Sequence, residues 1–194
     1  MPHLQKCAST SAEETGWCGI THDGKMTGGL LLVAWPSADQ VLTSFRMADG
    51  YAMPGVYSGS STLTQISSSV TDTGYEVVFR CEGCLAWTDA AGAPATAGTS
   101  EGNFMLGYAQ GKDTPVNAAC PDEIELEYHT LGFNLWSATT EGLVVEDYEG
   151  VAELATEVVE GDCDAVPAPS GPAEPSGSAA PSGTAPAGTA PSAV

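Results

Sequence analysis

Leu30-Leu31-Leu32-Val33-Ala34-Trp35, closed by Pro36-Ser37, is the longest apolar run in the chain. It has the length of a strand and falls far short of the roughly 18 residues needed to cross a bilayer. An unbroken apolar run suits a strand covered on both faces. The next segment, Gln40 to Met47, alternates instead: Val41, Thr43 and Phe45 fall on one side, Leu42, Ser44 and Arg46 on the other. Tyr75 to Phe79 is a β-branched and aromatic run behind the turn signal Asp72-Thr73-Gly74. Phe104 to Ala109, Ile124 to Tyr128, Phe133 to Trp136 and Leu143 to Val145 are further strand candidates. Short strands punctuated by turns predict an all-β, antiparallel sandwich. Only Tyr148 to Val159 carries a helical stripe, through Val151, Leu154, Ala155 and Val158.

Composition sets the outer limits. The chain has 194 residues, about one domain, with 5 basic and 25 acidic side chains and a net charge of −20. That charge argues against binding nucleic-acid phosphates or an anionic membrane face, and no apolar run is long enough to span a membrane. Residues 1–16 lack an apolar stretch, so no signal peptide is visible in them. Six cysteines in an acidic, Ser/Thr-rich chain nonetheless point to an oxidising compartment. From Ala165 to Val194 the sequence is Ala, Pro, Ser, Gly and Thr with Val166, Glu174 and Val194, and reads as a disordered stalk or linker. Asp89 to Ser100 reads as an exposed loop. No Lys or Arg follows Lys112, and thirteen acidic residues lie between Asp122 and Asp164. They form either a solvated face or a field that steers a basic partner.

Few residues single themselves out for chemistry. The histidines are His3, in a segment expected to fray, His22 and His129, and no Ser stands in a G-x-S-x-G elbow. Cys81-Glu82-Gly83-Cys84 is a C-x-x-C that could be a disulfide, a dithiol, or half of a zinc site completed by Cys120 and His129. Covalent haem attachment is excluded, because Leu85 and not His follows it. Met26 sits in the polar turn Gly24-Lys25-Met26-Thr27-Gly28-Gly29, an odd place for a residue that ordinarily fills core gaps. His129 follows the acidic alternation of Glu123, Glu125 and Glu127.

Taken in order, Trp17-Cys18-Gly19-Ile20, Met26, the 30–35 run, Arg46-x-x-x-Gly50-Tyr51, Phe79-Arg80-Cys81-Glu82-Gly83-Cys84-x-x-Trp87 and His129-x-x-Gly132-Phe133 resemble the cytochrome domain of fungal cellobiose dehydrogenases. The resemblance covers residues 17 to 148. It implies an immunoglobulin-like sandwich and a non-covalent haem b whose iron (the metal) is held between Met26 and His129, with Tyr51 at a haem propionate. It implies an extracellular electron carrier, not an enzyme. The donor would be a flavin-dependent dehydrogenase and the acceptor a lytic polysaccharide monooxygenase or another redox protein. The implied organisation is an unmatched segment 1–16, a haem domain 17–164 and a linker 165–194. The family has more chain before the segment matching Trp17, so the N-terminus reads as truncated. His22 is a spare ligand candidate. The competing reading is a haem-free carbohydrate-binding or adhesion sandwich that uses Trp35, Tyr51, Trp87 and Trp136.

Overall fold

The computed structural model describes residues 16–98, 102–139 and 146–165, and the backbone of residues 2–8. Its elements are β1 (Pro2–Ala8), β2 (Trp17–Thr21), β3 (Leu30–Ser37), β4 (Gln40–Met47), β5 (Gly55–Val56), β6 (Thr62–Thr71), β7 (Gly74–Glu82), β8 (Ala86–Thr88), β9 (Pro94–Thr96), β10 (Asn103–Gly111), β11 (Gly132–Thr139) and the helix α1 (Tyr148–Glu153). A six-stranded sheet runs in the order β11-β10-β2-β3-β4-β5 and a three-stranded one in the order β1-β7-β6; β8 and β9 form a separate ribbon. All the strand pairs are antiparallel.

The 30–35 run is continuous because β3 buries both faces. Leu30, Leu32 and Ala34 face Tyr75, Val77 and Phe79 of β7 in the core between the two sheets. Val33 and Trp35 point the other way, into a second cluster with Trp17, Leu42 and Ile124. In β7 the alternation is strict, with Tyr75, Val77, Phe79 and Cys81 all buried. Full burial of side chains such as Leu32 or Phe79 contributes about 1.5–3 kcal/mol each. Tyr75 also joins the sheets by polar contact: its hydroxyl donates to the Ala34 carbonyl and accepts from the Cys18 amide at 2.9 Å. Burial raises its pKa well above the ordinary phenol range.

We call the face of the large sheet that turns away from the small sheet its outer face. Near β3 and β4 it is roofed by residues 112–126. Ile124 plugs the second cluster, the Trp35 indole donates to the Ala118 carbonyl at 2.8 Å, and the Cys120–Cys163 disulfide ties down the segment. The predicted strand Ile124 to Tyr128 is therefore not one. Its backbone makes a single bridge, Glu125 to Val116, because the segment lies across a face instead of extending an edge.

Other expectations need correction for similar reasons. Helix α1 ends at Glu153, and Leu154 and Val158 are exposed, since no core surface is left for the stripe. The chain beyond it is extended instead, with Glu157 pairing with Gln65 at a bulge in β6. The predicted loop 89–100 contains β9, which pairs with β8. Strand β6, whose apolar residues Leu63, Ile66 and Val70 are spread among Thr, Gln and the exposed Ser67-Ser68-Ser69, carries only a weak apolar signal, although Leu63 and Val70 pack on the core. His3, expected to fray, lies in β1 opposite Phe79. The candidate strand Leu143 to Val145 and the tail from Val166 lie outside the described residues.

Cys81 and Cys84 are disulfide-bonded to each other, and Cys18 is disulfide-bonded as well. The C-x-x-C is thus neither a free dithiol nor half of a zinc site, and Cys120 is committed to Cys163. Among the described residues no group of His, Cys, Asp and Glu is arranged to hold a metal ion.

Candidate functional site

The rest of the outer face, over β10 and β11, is uncovered and apolar. Strand alternation puts Met105, Gly107 and Ala109 of β10 there, opposite Ser137, Leu135 and Phe133 of β11. Met105, Leu135 and Phe133 are 45%, 55% and 61% exposed, and Leu131 and Tyr128 at the rim are exposed too. Met53 approaches from the loop after β4, its sulfur 3.3 Å from the Leu126 amide. Single exposed apolar residues are ordinary, but a contiguous set on one sheet face marks a binding surface.

Two segments rise at the margins of this hollow. One is the β2–β3 turn, residues 22–29, which carries Met26. It stands beside Gly107, where a Cβ would come within 2.6 Å of the Thr21 methyl and 3.4 Å of the Gly24 backbone. Gly24 in turn lies against Met105 and has φ +74°, a conformation that favours glycine. The turn is built tightly. The Thr21 hydroxyl donates to the Lys25 carbonyl at 2.7 Å, the Asp23 carboxylate accepts from the Lys25 amide, and Gly28 N–H donates to the Ala48 carbonyl at 2.9 Å. Met26 itself is half-buried.

The other segment leads into β11 and carries His129. Its imidazole lies 4.0 Å from the Tyr128 ring and 4.6 Å, edge-on, from the Phe133 ring. The Leu131 amide fastens this segment to the Gln110 carbonyl at the end of β10. His129 Nδ1 is buried and has no hydrogen-bond partner. An imidazole nitrogen stripped of water and left unpaired carries a cost, one that metal ligation or a ligand donor would remove.

The turn that carries Met26 packs beside Gly107 of β10, and the segment that carries His129 is fastened to Gln110 of the same strand. Tyr51 is 90% exposed in the loop between β4 and β5, on the Met53 side. The residue types fit a haem: an uncovered apolar sheet face, a thioether in the β2–β3 turn and an imidazole with an unsatisfied nitrogen before β11. The sugar-stacking alternative loses two of its four aromatics, because Trp35 and Trp87 are buried in the two cores. Of that set, Trp136 and Tyr51 remain exposed.

Arg46 has a structural role that its place in the sequence does not reveal. It is buried on the outer face, and its guanidinium donates to Ser44 Oγ at 2.9 Å and to the carbonyls of Pro54 and Pro121. It thereby joins the Tyr51 loop to the segment that leads to His129. Desolvation lowers its pKa, opposed by the charge of Asp122. Its signals in the sequence are an Arg in an otherwise half-apolar strand and its place in the Arg46-x-x-x-Gly50-Tyr51 motif.

A match to the family of the cytochrome domain of cellobiose dehydrogenase runs over residues 4–150. This chain belongs to that family. The cytochrome domain of the Myriococcum thermophilum cellobiose dehydrogenase superposes with a TM-score of 0.77 at 43% identity, covering 81% of this chain and 75% of that one. The cytochrome b domain of a Coprinopsis cinerea pyranose dehydrogenase superposes with a TM-score of 0.65 at 27% identity, covering 80% and 75%. A pyrroloquinoline quinone-dependent pyranose dehydrogenase of Coprinopsis cinerea is 34% identical over 131 residues, 64% of this chain but 17% of that protein's length. As a cytochrome domain of this family, the chain is a haem-binding electron-transfer unit and not a catalytic one.

His22, the spare ligand candidate, is buried at the base of the Met26 turn. Its Nδ1 lies 3.3 Å from the Leu30 carbonyl and its ring packs near Phe104. Desolvation lowers its pKa, partly offset by the Leu30 carbonyl and Asp23. The unfolded chain therefore takes up the proton first as pH falls. This contribution to stability is complete above about pH 6.5 and declines below it, by at most ~1.4 kcal/mol per pH unit. Urea midpoints measured downward from neutral pH are expected to show this slope, and His22→Gln is expected to flatten it. An equal slope in the variant would assign the effect to other groups.

Proposed function

We propose that this cytochrome domain carries electrons one at a time on a non-covalent haem b. In this reading Met26 and His129 hold the iron and Tyr51 meets a propionate. The observation that supports it most is the buried, unpartnered His129 nitrogen at the margin of an exposed apolar hollow. When bound, the haem supplies a one-electron couple between Fe(II) and Fe(III). The chain's own residues do the rest. The Met26 thioether and the His129 imidazole would together hold the iron and would leave it no open site for oxygen or substrate. The soft Met26 sulfur favours Fe(II) and raises the potential. Met105, Leu135 and Phe133 shield the porphyrin from water, and the buried Arg46 cation draws negative charge toward the Tyr51 side of the hollow. The domain runs over residues 17–164 with the strand β1 added from 1–16, and 165–194 act as a spacer.

The donor is a flavin- or quinone-dependent dehydrogenase, in keeping with the dehydrogenases to which the chain is similar. The acceptor is an extracellular redox protein such as a lytic polysaccharide monooxygenase. Purified protein loaded with haem is expected to show a Soret band and the sharp reduced bands of low-spin iron. Met26→Leu is expected to leave a five-coordinate iron and a potential lower by roughly 60–120 mV, one to two decades in a one-electron constant. Spectroelectrochemistry measures both. Unchanged bands and an unchanged potential would exclude Met26 as a ligand.

A further inference from the structure

Met26 lies between two glycines in the left-handed region, Gly24 and Gly28, each with φ +74°. Glycine at these positions removes steric strain but adds no stiffness, so the turn has to be held from outside. On the Gly24 side the holding is local, through Thr21, Asp23 and Lys25. On the Gly28 side it comes from two distant elements. The Gly28 amide donates to Ala48 at the end of β4, and the Gly28 carbonyl accepts from the Trp87 indole N–H at 2.9 Å. Trp87 lies in β8, directly after the Cys81–Cys84 disulfide, and is buried in the core between the sheets. It therefore reaches the turn from the face opposite the hollow.

We propose that Trp87 is a positioning residue for Met26: its indole N–H holds the Gly28 carbonyl and so sets where the thioether stands. This rests on the Met26/His129 reading of the site. A thioether is a weak, neutral ligand that cannot drag a misplaced backbone to the metal. Partners behind a ligand typically alter metal affinity or activity by 10- to 100-fold. Removing the N–H leaves the Gly28 carbonyl unpaired and releases one of the two distant anchors of the turn.

The test is Trp87→Phe, which keeps an aromatic ring in the core and deletes the donor. Incorporation of 3-benzothienylalanine at position 87, which replaces N–H by sulfur at nearly constant shape, serves if the Phe variant does not fold. In the haem-loaded protein the ratio of Met-ligated to Met-free iron, read from the optical and magnetic circular dichroism spectra, is expected to fall roughly tenfold. The potential is expected to fall with it. In the haem-free protein the Gly28 amide is expected to exchange faster, while exchange in β7 stays at the wild-type rate. A folded variant with wild-type spectrum, potential and Gly28 exchange overturns the proposal. So does a lower unfolding temperature with an unchanged potential, the mark of a packing role alone. Met26→Leu measured alongside separates the two readings. If its spectrum does not change, the ligation reading fails and takes this proposal with it. If it changes while the Trp87 variants do not, the role of Trp87 alone is lost.

Discussion

His129→Ala is expected to abolish stable haem binding while leaving the fold intact. The two halves of this expectation have separate causes. Among the described residues, the imidazole is the nitrogen donor on the rim of the hollow that burial has left without a partner. On the proposed ligation its removal would delete a ligand to the iron, and an expected loss of roughly 100-fold or more in haem affinity corresponds to about 2.7 kcal/mol. The ring's neighbours Tyr128 and Phe133 are, by contrast, largely exposed. Little core packing is lost, and the haem-free variant also loses a buried unsatisfied atom. Its unfolding free energy is expected to stay within about 0.5 kcal/mol of wild type. Haem titration followed by absorbance, beside urea unfolding of the haem-free proteins, measures both halves. Free imidazole is expected to restore part of the low-spin spectrum by entering the vacated space. Retention of a six-coordinate spectrum without imidazole would remove His129 from the site.

Trp35→Ala is expected to cause the largest loss of stability. Trp35 is fully buried among Trp17, Val33, Leu42 and Ile124, and its indole N–H satisfies the Ala118 carbonyl. Truncating a buried aromatic of this size costs about 3–5 kcal/mol. That is a large part of the roughly 5–15 kcal/mol available to a typical domain. The damage should also spread in a particular direction. Trp35 holds residues 112–126 onto the outer face, and the same segment continues to His129. Haem affinity is therefore expected to fall together with stability, whereas Trp35→Phe, which keeps most of the buried area, is expected to lose much less of either. Urea unfolding and haem titration on the two variants check this. A cost below about 1.5 kcal/mol for the Ala variant would show that the second core is not what secures the segment.

Several features of the fold and the site are legible in the side-chain pattern alone. The 30–35 run announces a strand buried on both faces, because a strand with one solvated face alternates. The alternation in Gln40–Met47 divides its residues between the two faces of a sheet, and the β-branched, aromatic run Tyr75–Phe79 reads as a further strand. Met26 stands out as a thioether in a glycine-rich polar turn, and His129 as an imidazole beside an acidic stretch. Taken alone, neither is more than a candidate. Only the ordered set of motifs makes them a pair.

Other features depend on partners distant in sequence. Ile124 to Tyr128 alternates like a strand, yet Ile124 plugs a face of the large sheet and the segment makes a single bridge, to Val116. Strand β6 is polar on its open side and owes its place to hydrogen bonding with β7. Trp87 reads as a surface aromatic, although its indole N–H is spent on Gly28 across 59 residues of sequence.

The sequence by itself determined which segments could be strands and which residue types were available to hold a metal, since both follow from local side-chain chemistry. Only the tertiary structure decided that the turn of Met26 and the segment of His129 are both fastened to β10, beside an uncovered apolar face. It also decided that the His129 Nδ1 lacks a partner and that the Met26 turn is fastened through the core. Burial, register and the pairing of backbone groups are properties of segments brought together, and no single stretch of the chain encodes them.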